Sequence, residues 1–397
     1  MVEPAPIAPD EVPDFLQALH QAFHHAGHPD DIALGAKVLE PERTLAIRDG
    51  GRIVGTAAIY SRRLTVPGGE LPLAAVTLVG VRPSHRRRGL LTRMMRRQLA
   101  DLHEAGEEPI AALWAAEAAI YGRYGYGMAT MAAELDVESR DARLREPPEL
   151  RADLREAAEA QGAMAEIHEA ARRERVGLLD RPGSWWEVRI ADPEHRRDGA
   201  SELHAAVVEG QAYALYAVKS VWEAGRSAEQ VIVRELVAAT PEGSGAIWNY
   251  LLGLDLTSRL VYDGAAPDEP LLHMVTEAQT VRTRVGEGLW VRLVDVPRAL
   301  AQRSYPVPFE VVLEVADDVC PWNAGRWALR SDGTCERTSL PAGLQLSVAD
   351  LGAVYLGGTT LDTLARAGRV KELRAGALAP ASRAFRGERE PWCPEIF

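Results

Sequence analysis

Apolar and polar positions along the chain fall into three stretches of different pattern. In the first, Leu45-Ala46-Ile47 and Ile53-Val54-Gly55-Thr56-Ala57-Ala58-Ile59-Tyr60 flank Asp49-Gly50, which predicts strand, tight turn, strand. Residues 73–81 form a near-continuous apolar run, as in a central strand covered on both faces. Beyond an arginine-rich loop, Leu91, Met95, Leu99 and Leu102 recur at helical spacing and predict a helix that Gly106 ends.

Residues 139–154, rich in charge and carrying Pro147 and Pro148, read as a connector. The second stretch then repeats the first in weaker form. Residues 211–218 take the place of the hairpin strand and 231–239 that of the central strand. Thr240-Pro241-Glu242-Gly243-Ser244-Gly245 reads as a loop in place of the arginine loop, with a helix over 246–254. From about Gly288 the pattern changes: a strand over 289–296, a short helix over 297–302, alternating strands over 310–315 and 325–330, and a helix opening at 347–351. The expectation is an α+β chain of three domains, 1–140, 141–285 and 286–397.

Composition narrows the class. With 397 residues, 45 basic against 57 acidic, a formal charge of −12 and 47% hydrophobic residues, the chain can build more than one core and is neither disordered nor collagenous. The acidity argues against a nucleic-acid binder. Met1-Val2-Glu3-Pro4 lacks a basic, apolar leader, and no run is long enough for a membrane span. Cys320, Cys335 and Cys393 are widely spaced, which argues against a disulfide framework and a cysteine-rich zinc site. A cytoplasmic protein with reduced thiols is expected.

One local feature opposes the overall charge. Between Arg82 and Arg97 lie seven arginines and no acid. The segment Val79-Gly80-Val81-Arg82-Pro83-Ser84-His85-Arg86-Arg87-Arg88-Gly89-Leu90-Leu91 runs from strand through a basic loop into a helix, pointing free backbone N–H groups and a helix N-terminus at one spot. That spot suits a pyrophosphate, with Gly89 permitting close approach and Arg86, Arg87 and Arg88 offering forked donors. A solvated basic helix face is the plainer alternative. No Walker or Rossmann glycine motif is present.

The loop Arg86-Arg87-Arg88-Gly89-Leu90-Leu91 resembles the R-x-x-G-x-G/A loop of GCN5-related N-acetyltransferases (GNAT), with Leu91 at the last small position. Together with Glu117 and Ile120-Tyr121-Gly122-Arg123-Tyr124-Gly125-Tyr126-Gly127 it resembles the Eis (enhanced intracellular survival) family over the whole chain. The resemblance implies tandem GNAT domains, the second degenerate, then a sterol-carrier-protein-like domain to which Tyr355-Leu356-Gly357-Gly358 belongs, and a homohexamer. It implies acetyl-CoA as donor, with no metal. Val79, Gly80 and Val81 would pair with the pantetheine arm; Arg87 to Thr92 (Arg87, Arg88, Gly89, Leu90, Leu91, Thr92), with Arg86 beside them, would hold phosphates. Ala116, where a serine is expected, and Glu117 would approach the thioester. Tyr121 would be the general acid and the C-terminal carboxylate of Phe397 the general base.

Those roles fit the chemistry. A thiolate whose conjugate acid has a pKa near ~8.5 leaves more readily beside a phenol. An aliphatic amine must lose a proton before it attacks, and a carboxylate of pKa near ~3.5 is a weak base for that unless desolvation or a water relay helps. On the residues alone, Tyr121 reads first as a packed aromatic and Phe397 as a hydrophobic anchor; the resemblance reverses this for Tyr121. For the acceptor, the resemblance implies a small amine, aminoglycosides included. At the aligned contacts the chain has Phe23 as expected, but His25 and Ile396 where acids are expected and Gly35 where a tryptophan is; Glu395 is placed to compensate. His24, His25 and His28 read as loop histidines, not ligands. Two alternatives remain at this stage: a non-catalytic CoA- or lipid-binding regulator, and a protein lysine acetyltransferase.

Overall fold

The structure is a computed structural model that describes residues 3–223 and 225–397, and it divides into two compact units. The first comprises residues 3–130, Gly288–Pro391 and Ile396–Phe397; the second comprises Met131–Glu287 and Trp392–Glu395.

The first unit opens with α1 (Val12–Ala22), α2 (Pro29–Ala36), β1 (Thr44–Asp49), β2 (Arg52–Val66) and β3 (Gly69–Val81). The expected hairpin is present, with Gly50 and Gly51 at positive φ in its turn. Then come α3 (Leu90–Ala105), β4 (Ile110–Trp114), α4 (Ala118–Tyr121) and β5 (Gly127–Met128). Helix α3 buries Met95, Leu99 and Leu102, as their spacing predicts, and Gly106 closes it at φ 66° with its N–H on the Leu102 carbonyl.

The second unit follows with β6 (Met131–Val137), β7 (Asp153–Glu156), α5 (Ala157–Glu174), α6 (Gly183–Ile190), β8 (His204–Val208) and β9 (Ala212–Lys219). After a small ribbon, β10 (Trp222–Glu223) with β11 (Arg226–Ser227), it continues through β12 (Glu229–Ala238), α7 (Pro241–Leu252), β13 (Thr257–Ala265), α8 (Leu271–Met274) and β14 (Val281–Glu287). Its seven-stranded sheet runs β14-β6-β13-β12-β9-β8-β7. One face carries Trp248 and Ile247 of α7, the other Met164 and Ile167 of α5 with Trp186 of α6. The loop expected at 240–245 is instead helix: Thr240 Oγ1 accepts the Gly243 N–H at 3.0 Å and starts α7 at once.

The chain then returns to the first unit with β15 (Leu289–Leu293), α9 (Val296–Ala301), β16 (Glu310–Ala316), β17 (Gly325–Arg330), β18 (Cys335–Arg337), β19 (Leu344–Ser347), α10 (Val348–Val354), α11 (Leu361–Arg366), β20 (Lys371–Glu372) and α12 (Leu378–Phe385). Strand β15 does not begin a C-terminal sheet. It inserts between β4 and β5, giving the order β1-β2-β3-β4-β15-β5, while β16–β20 form a separate five-stranded sheet. Helix α10 meets β5 and β15 backbone to backbone. A Cβ on Gly127 would lie 1.9 Å from the Ala349 carbonyl oxygen, and one on Gly352 would lie 2.2 Å from that of Val291. Only glycine fits at either position.

The core of the second unit holds an unusual number of charges. Arg181 forks onto Glu235 at 2.9 and 3.0 Å, and Arg189 reaches the same carboxylate at 2.7 Å. Burial would raise the Glu235 carboxyl, but the two guanidinium groups hold it well below the usual range. His168, edge-on to Trp186, is lowered to about 4 by burial and then by Arg181, against the opposing pull of Glu235 and Glu395. A histidine neutral in the fold but protonating near ~6.5 when unfolded binds its proton preferentially in the unfolded chain between those values. Stability should therefore fall as pH drops from about 6.5 to 4, by about 3 kcal/mol over the window. Urea midpoints at pH 7.5, 6 and 5 check this: His168→Gln should flatten the slope, and a wild-type midpoint constant across the window would contradict it.

Candidate active site

The site begins where two strands part. β3 and β4 run parallel and pair only at Leu73↔Ile110, Ala74↔Ala111 and Ala75↔Ala112. From residue 76 to 81, β3 keeps β2 on one flank and has no strand on the other. A bulge marks the divergence: the register against β2 shifts at Leu78, which has φ 52°, and Thr56 Oγ1 donates to the Leu78 carbonyl at 2.9 Å. Gly80 lets α1 lie close, since a Cβ there would meet Leu19 and Ala22 within about 3.2 Å.

The parting opens into a cleft of about 490 Å³. Val79, Gly80 and Val81 form one wall, and Arg86, Arg87, Gly89, Leu90, Leu91 and Thr92 the end where α3 begins. Gly89 sits at φ 75° and ψ 8° as the residue before α3, so the first amides of that helix face an anion site. Ala116, Glu117 and Tyr121 line the opposite side, and Phe23, 46% exposed, lies at the rim.

The arginines divide by partner. Arg86 donates to the main-chain carbonyls of Ala22 (3.0 Å) and Val81 (3.3 Å), tying the end of α1 to the end of β3. Arg82 bonds Gln21, Arg93 bonds Glu3 and Arg97 bonds Asp101. Arg87 and Arg88 are exposed and make no hydrogen bond or ion pair among the described residues; Arg87 lines the cleft and Arg88 lies just outside its wall. Of the three loop arginines, Arg87 and Arg88 are thus free for an anion, and Arg86 shapes the site through its backbone bonds.

Tyr121 ends α4 with its side chain 8% exposed, edge-on to Tyr126 at 6.2 Å. The turn beneath it is fixed by Gly125 at φ 83°, against which the buried Arg292 guanidinium packs, itself paired with Asp317 at 2.6 Å. Burial, with Tyr124 and Glu117 beside it, pushes the Tyr121 hydroxyl up to about 12, so it keeps its proton through the neutral range. That hydroxyl has no hydrogen-bond partner among the described residues.

The structure does not bring every expected residue to the cleft. His25, exposed after α1, and Gly35, within α2, belong to the first unit but not to the cleft wall. Phe397, partly buried, also belongs to the first unit and lies off that wall. Glu395 departs most from expectation. It lies in the second unit, 6% exposed, with its carboxylate 2.9–3.0 Å from Arg181, so it is an ion-pair partner and not a compensating acceptor contact. Sequence reading passed over Arg123 and Tyr124 as wall residues. Tyr124 shares a 2.9 Å hydrogen bond with Thr92, joining the turn after Tyr121 to the first turn of α3. The tyrosine-rich turn was the available signal.

A bulged strand parting from its neighbour, an arginine loop and a glycine-led helix define an acetyltransferase of the GNAT class, whose donor is acetyl-CoA. Sequence profiles agree: an acetyltransferase (GNAT) domain matches residues 3–129, a second acetyltransferase (GNAT) domain matches 177–293, and a sterol carrier protein domain matches 296–394. An uncharacterised N-acetyltransferase of Streptomyces avermitilis is 43% identical, with 90% of each chain covered. N-acetyltransferase Eis of Mycobacterium tuberculosis is 34% identical over 95% of this chain and 94% of its own. The crystal structure of Eis1 from Mycobacterium abscessus superposes with a TM-score of 0.89 at 34% identity over the full length of both. The chain belongs to the Eis family of N-acetyltransferases. Its α+β architecture is that of two GNAT domains with a sterol-carrier-like domain, and among the described residues no helix is long and apolar enough to cross a membrane.

The arginine division is testable by calorimetry with acetyl-CoA. Arg87→Ala should weaken binding about tenfold or more, the scale of one charge-assisted hydrogen bond. Arg97→Ala, which removes a partner of Asp101 one helical turn on, should leave affinity unchanged. Equal losses would mean a diffuse basic face.

Proposed function

We propose that the parted edge of β3 holds acetyl-CoA and that the chain acetylates an amine of a small cationic acceptor by direct attack, with Tyr121 as general acid and the Phe397 carboxylate as general base. The observation that carries this reading is Tyr121: a mostly buried side chain on the cleft wall where the strands part, its hydroxyl protonated and without a partner among the described residues.

The residues fit the donor. The free flank of Val79, Gly80 and Val81 accommodates an amide-bearing arm as an added strand would, and Arg87 with the α3 N-terminus accommodates its phosphates. Bound there, acetyl-CoA supplies an activated acyl group and a thiol leaving group. Tyr121 offers the hydrogen bond that stabilises the sulfur as negative charge develops. Full transfer from a hydroxyl at about 12 to a thiolate of ordinary basicity is uphill, so Tyr121 would act by donating its hydrogen bond as the C–S bond breaks, the proton passing on as the product leaves. Phe397, partly buried, removes the amine proton directly or through water.

The acceptor follows from charge. The excess of acid in a chain of −12 draws cationic amines toward the molecule. His25, Gly35 and Ile396 stand where the resemblance expects two acids and a tryptophan, which leads away from aminoglycosides as the preferred acceptors. The family resemblance also leads to a cytoplasmic homohexamer.

Turnover with a polyamine panel, followed by thiol release, tests the assignment. Tyr121→Phe should lower kcat by about a hundredfold or more while acetyl-CoA binding is unchanged. Because the hydroxyl stays protonated to about 12, wild-type kcat should show no alkaline loss below pH 10. One glycine appended after Phe397 moves the carboxylate and should lower kcat at least tenfold. Full turnover in either variant would remove that group from the mechanism.

A further inference from the structure

Tyr121 stands on a helix too short to hold it. α4 is a single turn with no side-chain cap at Glu117, and a turn of that length makes too few hydrogen bonds to fix its own place. What closes it follows in the chain: the Gly125 N–H donates to the Gly122 carbonyl at 3.1 Å, and the Tyr126 N–H donates to the Tyr121 carbonyl at 3.3 Å. Gly125 at φ 83° and the buried Tyr126 ring, edge-on to Tyr121, therefore set the position of the Tyr121 side chain.

The floor of that turn is charged. Arg292 of β15 lies against Gly125, where a Cβ would fall 2.8 Å from Val348 Cγ1 and closer still to Arg292 Nη1. Arg292 donates to Asp317 at 2.6 Å, and both side chains are fully buried. Asp317 is held by three further donors: the Asn323 side-chain amide at 3.1 Å and the main-chain N–H groups of Val319 (3.1 Å) and Cys320 (2.9 Å). Arg292 is less well served. Its Nε and Nη1 are buried without a hydrogen-bond partner among the described residues, and the Cys320 thiol is the guanidinium's other near neighbour. A fold that needed only volume here would be served as well by an aliphatic side chain, which has no charge to strip of water and no donors to leave idle. The pair supplies place instead: a carboxylate fixed by four donors holds a planar group under one residue of the turn.

We propose that Arg292 and Asp317 are positioning residues for the acetyl transfer, holding the turn over 122–126 so that the Tyr121 hydroxyl is presented at the cleft wall. The inference rests on the reading of Tyr121 as general acid. It also gives the part of the chain after Gly288 a share in the chemistry of the first cleft, within one compact unit. β15 brings Arg292, the loop after β16 brings Asp317, and α10 closes on Gly127 just beyond the turn. Neither Arg292 nor Asp317 lines the cleft, so both act through the turn and not on a bound molecule.

Removing one partner alone would leave the other charge buried and unpaired, so the test replaces both: Arg292→Met with Asp317→Asn, the asparagine keeping an oxygen for the Val319 and Cys320 N–H groups. Wild type, this paired variant, Tyr121→Phe and the combination of all three changes are assayed on the full chain for kcat, acetyl-CoA affinity and melting temperature. Expected are a fall in kcat of about tenfold or more for the paired variant with acetyl-CoA affinity and melting temperature nearly unchanged, a smaller fall for Arg292→Lys, and no further fall when the paired change is added to Tyr121→Phe. If Tyr121→Phe alone keeps full turnover, the general-acid reading fails and this inference with it. If Tyr121→Phe lowers kcat but the paired variant does not, or the two losses multiply, the acid reading stands and the positioning role is overturned. Loss of acetyl-CoA affinity overturns it as well. Should the paired variant not fold, Arg292→Lys decides on the same measurements; a large drop in melting temperature in both means that the pair holds the fold and not the tyrosine, and overturns the role.

Discussion

A strand that loses its neighbour part-way along leaves a row of backbone amides and carbonyls facing nothing, and a protein interior does not tolerate such a row. Each buried peptide group without a partner costs about 1–3 kcal/mol, so the gap must be opened to solvent and ligand or filled from within. In the first unit β3 and β4 separate after three pairs and the edge is left open. Leu78 takes a left-handed conformation there, held by Thr56 Oγ1 on its carbonyl. Backbone strain of that kind persists where the surroundings enforce it, often at functional sites. In the second unit the equivalent bulge at Arg234 lies outside the left-handed region, and Tyr262 closes the edge. The difference between a catalytic and a degenerate copy is thus local: who satisfies the free flank of one strand.

Features encoded within about twenty residues were legible in the sequence. The apolar run 73–81, the reversal of charge at Arg82–Arg97 and the helical spacing of Leu91, Met95, Leu99 and Leu102 each state their structure locally. Contacts that span the chain left no such trace. β15 joins the first sheet some 160 residues after β5 would let one expect it, because its apolar pattern suits any central strand. Nothing in the sequence marks Gly127 and Gly352 as points of close approach; that need appears only where α10 lies on the β5 and β15 backbone. At 240–245 the glycine and serine content predicted a loop, and tertiary packing with a Thr240 cap overrode it.

The site residues divide in the same way. Arg87, Gly89 and Tyr121 belong to a local motif, and the fold brings them into one cleft. Arg86 belongs to the same motif, yet its bonds to Ala22 and Val81 give it a different task, which only the position of α1 reveals. Glu395 was misread because its partner, Arg181, lies 214 residues away and no spacing rule connects them. An acid near a chain end reads as exposed and available; here it is among the most buried carboxylates of its unit.

Seven arginines in one loop and helix need not mean seven phosphate ligands. Four are engaged by Gln21, by the Ala22 and Val81 carbonyls, by Glu3 and by Asp101, which brace the loop against α1, β3 and the helix itself. The cost of crowding like charges is met by these partners; Arg96 is exposed further along α3, and the unengaged guanidinium groups of Arg87 and Arg88 are left beside the helix N-terminus. Two free cations on a braced backbone leave only their own side chains to be ordered when an anion binds, fewer than seven mobile ones would, which is how a strongly acidic chain keeps a well-defined anion site.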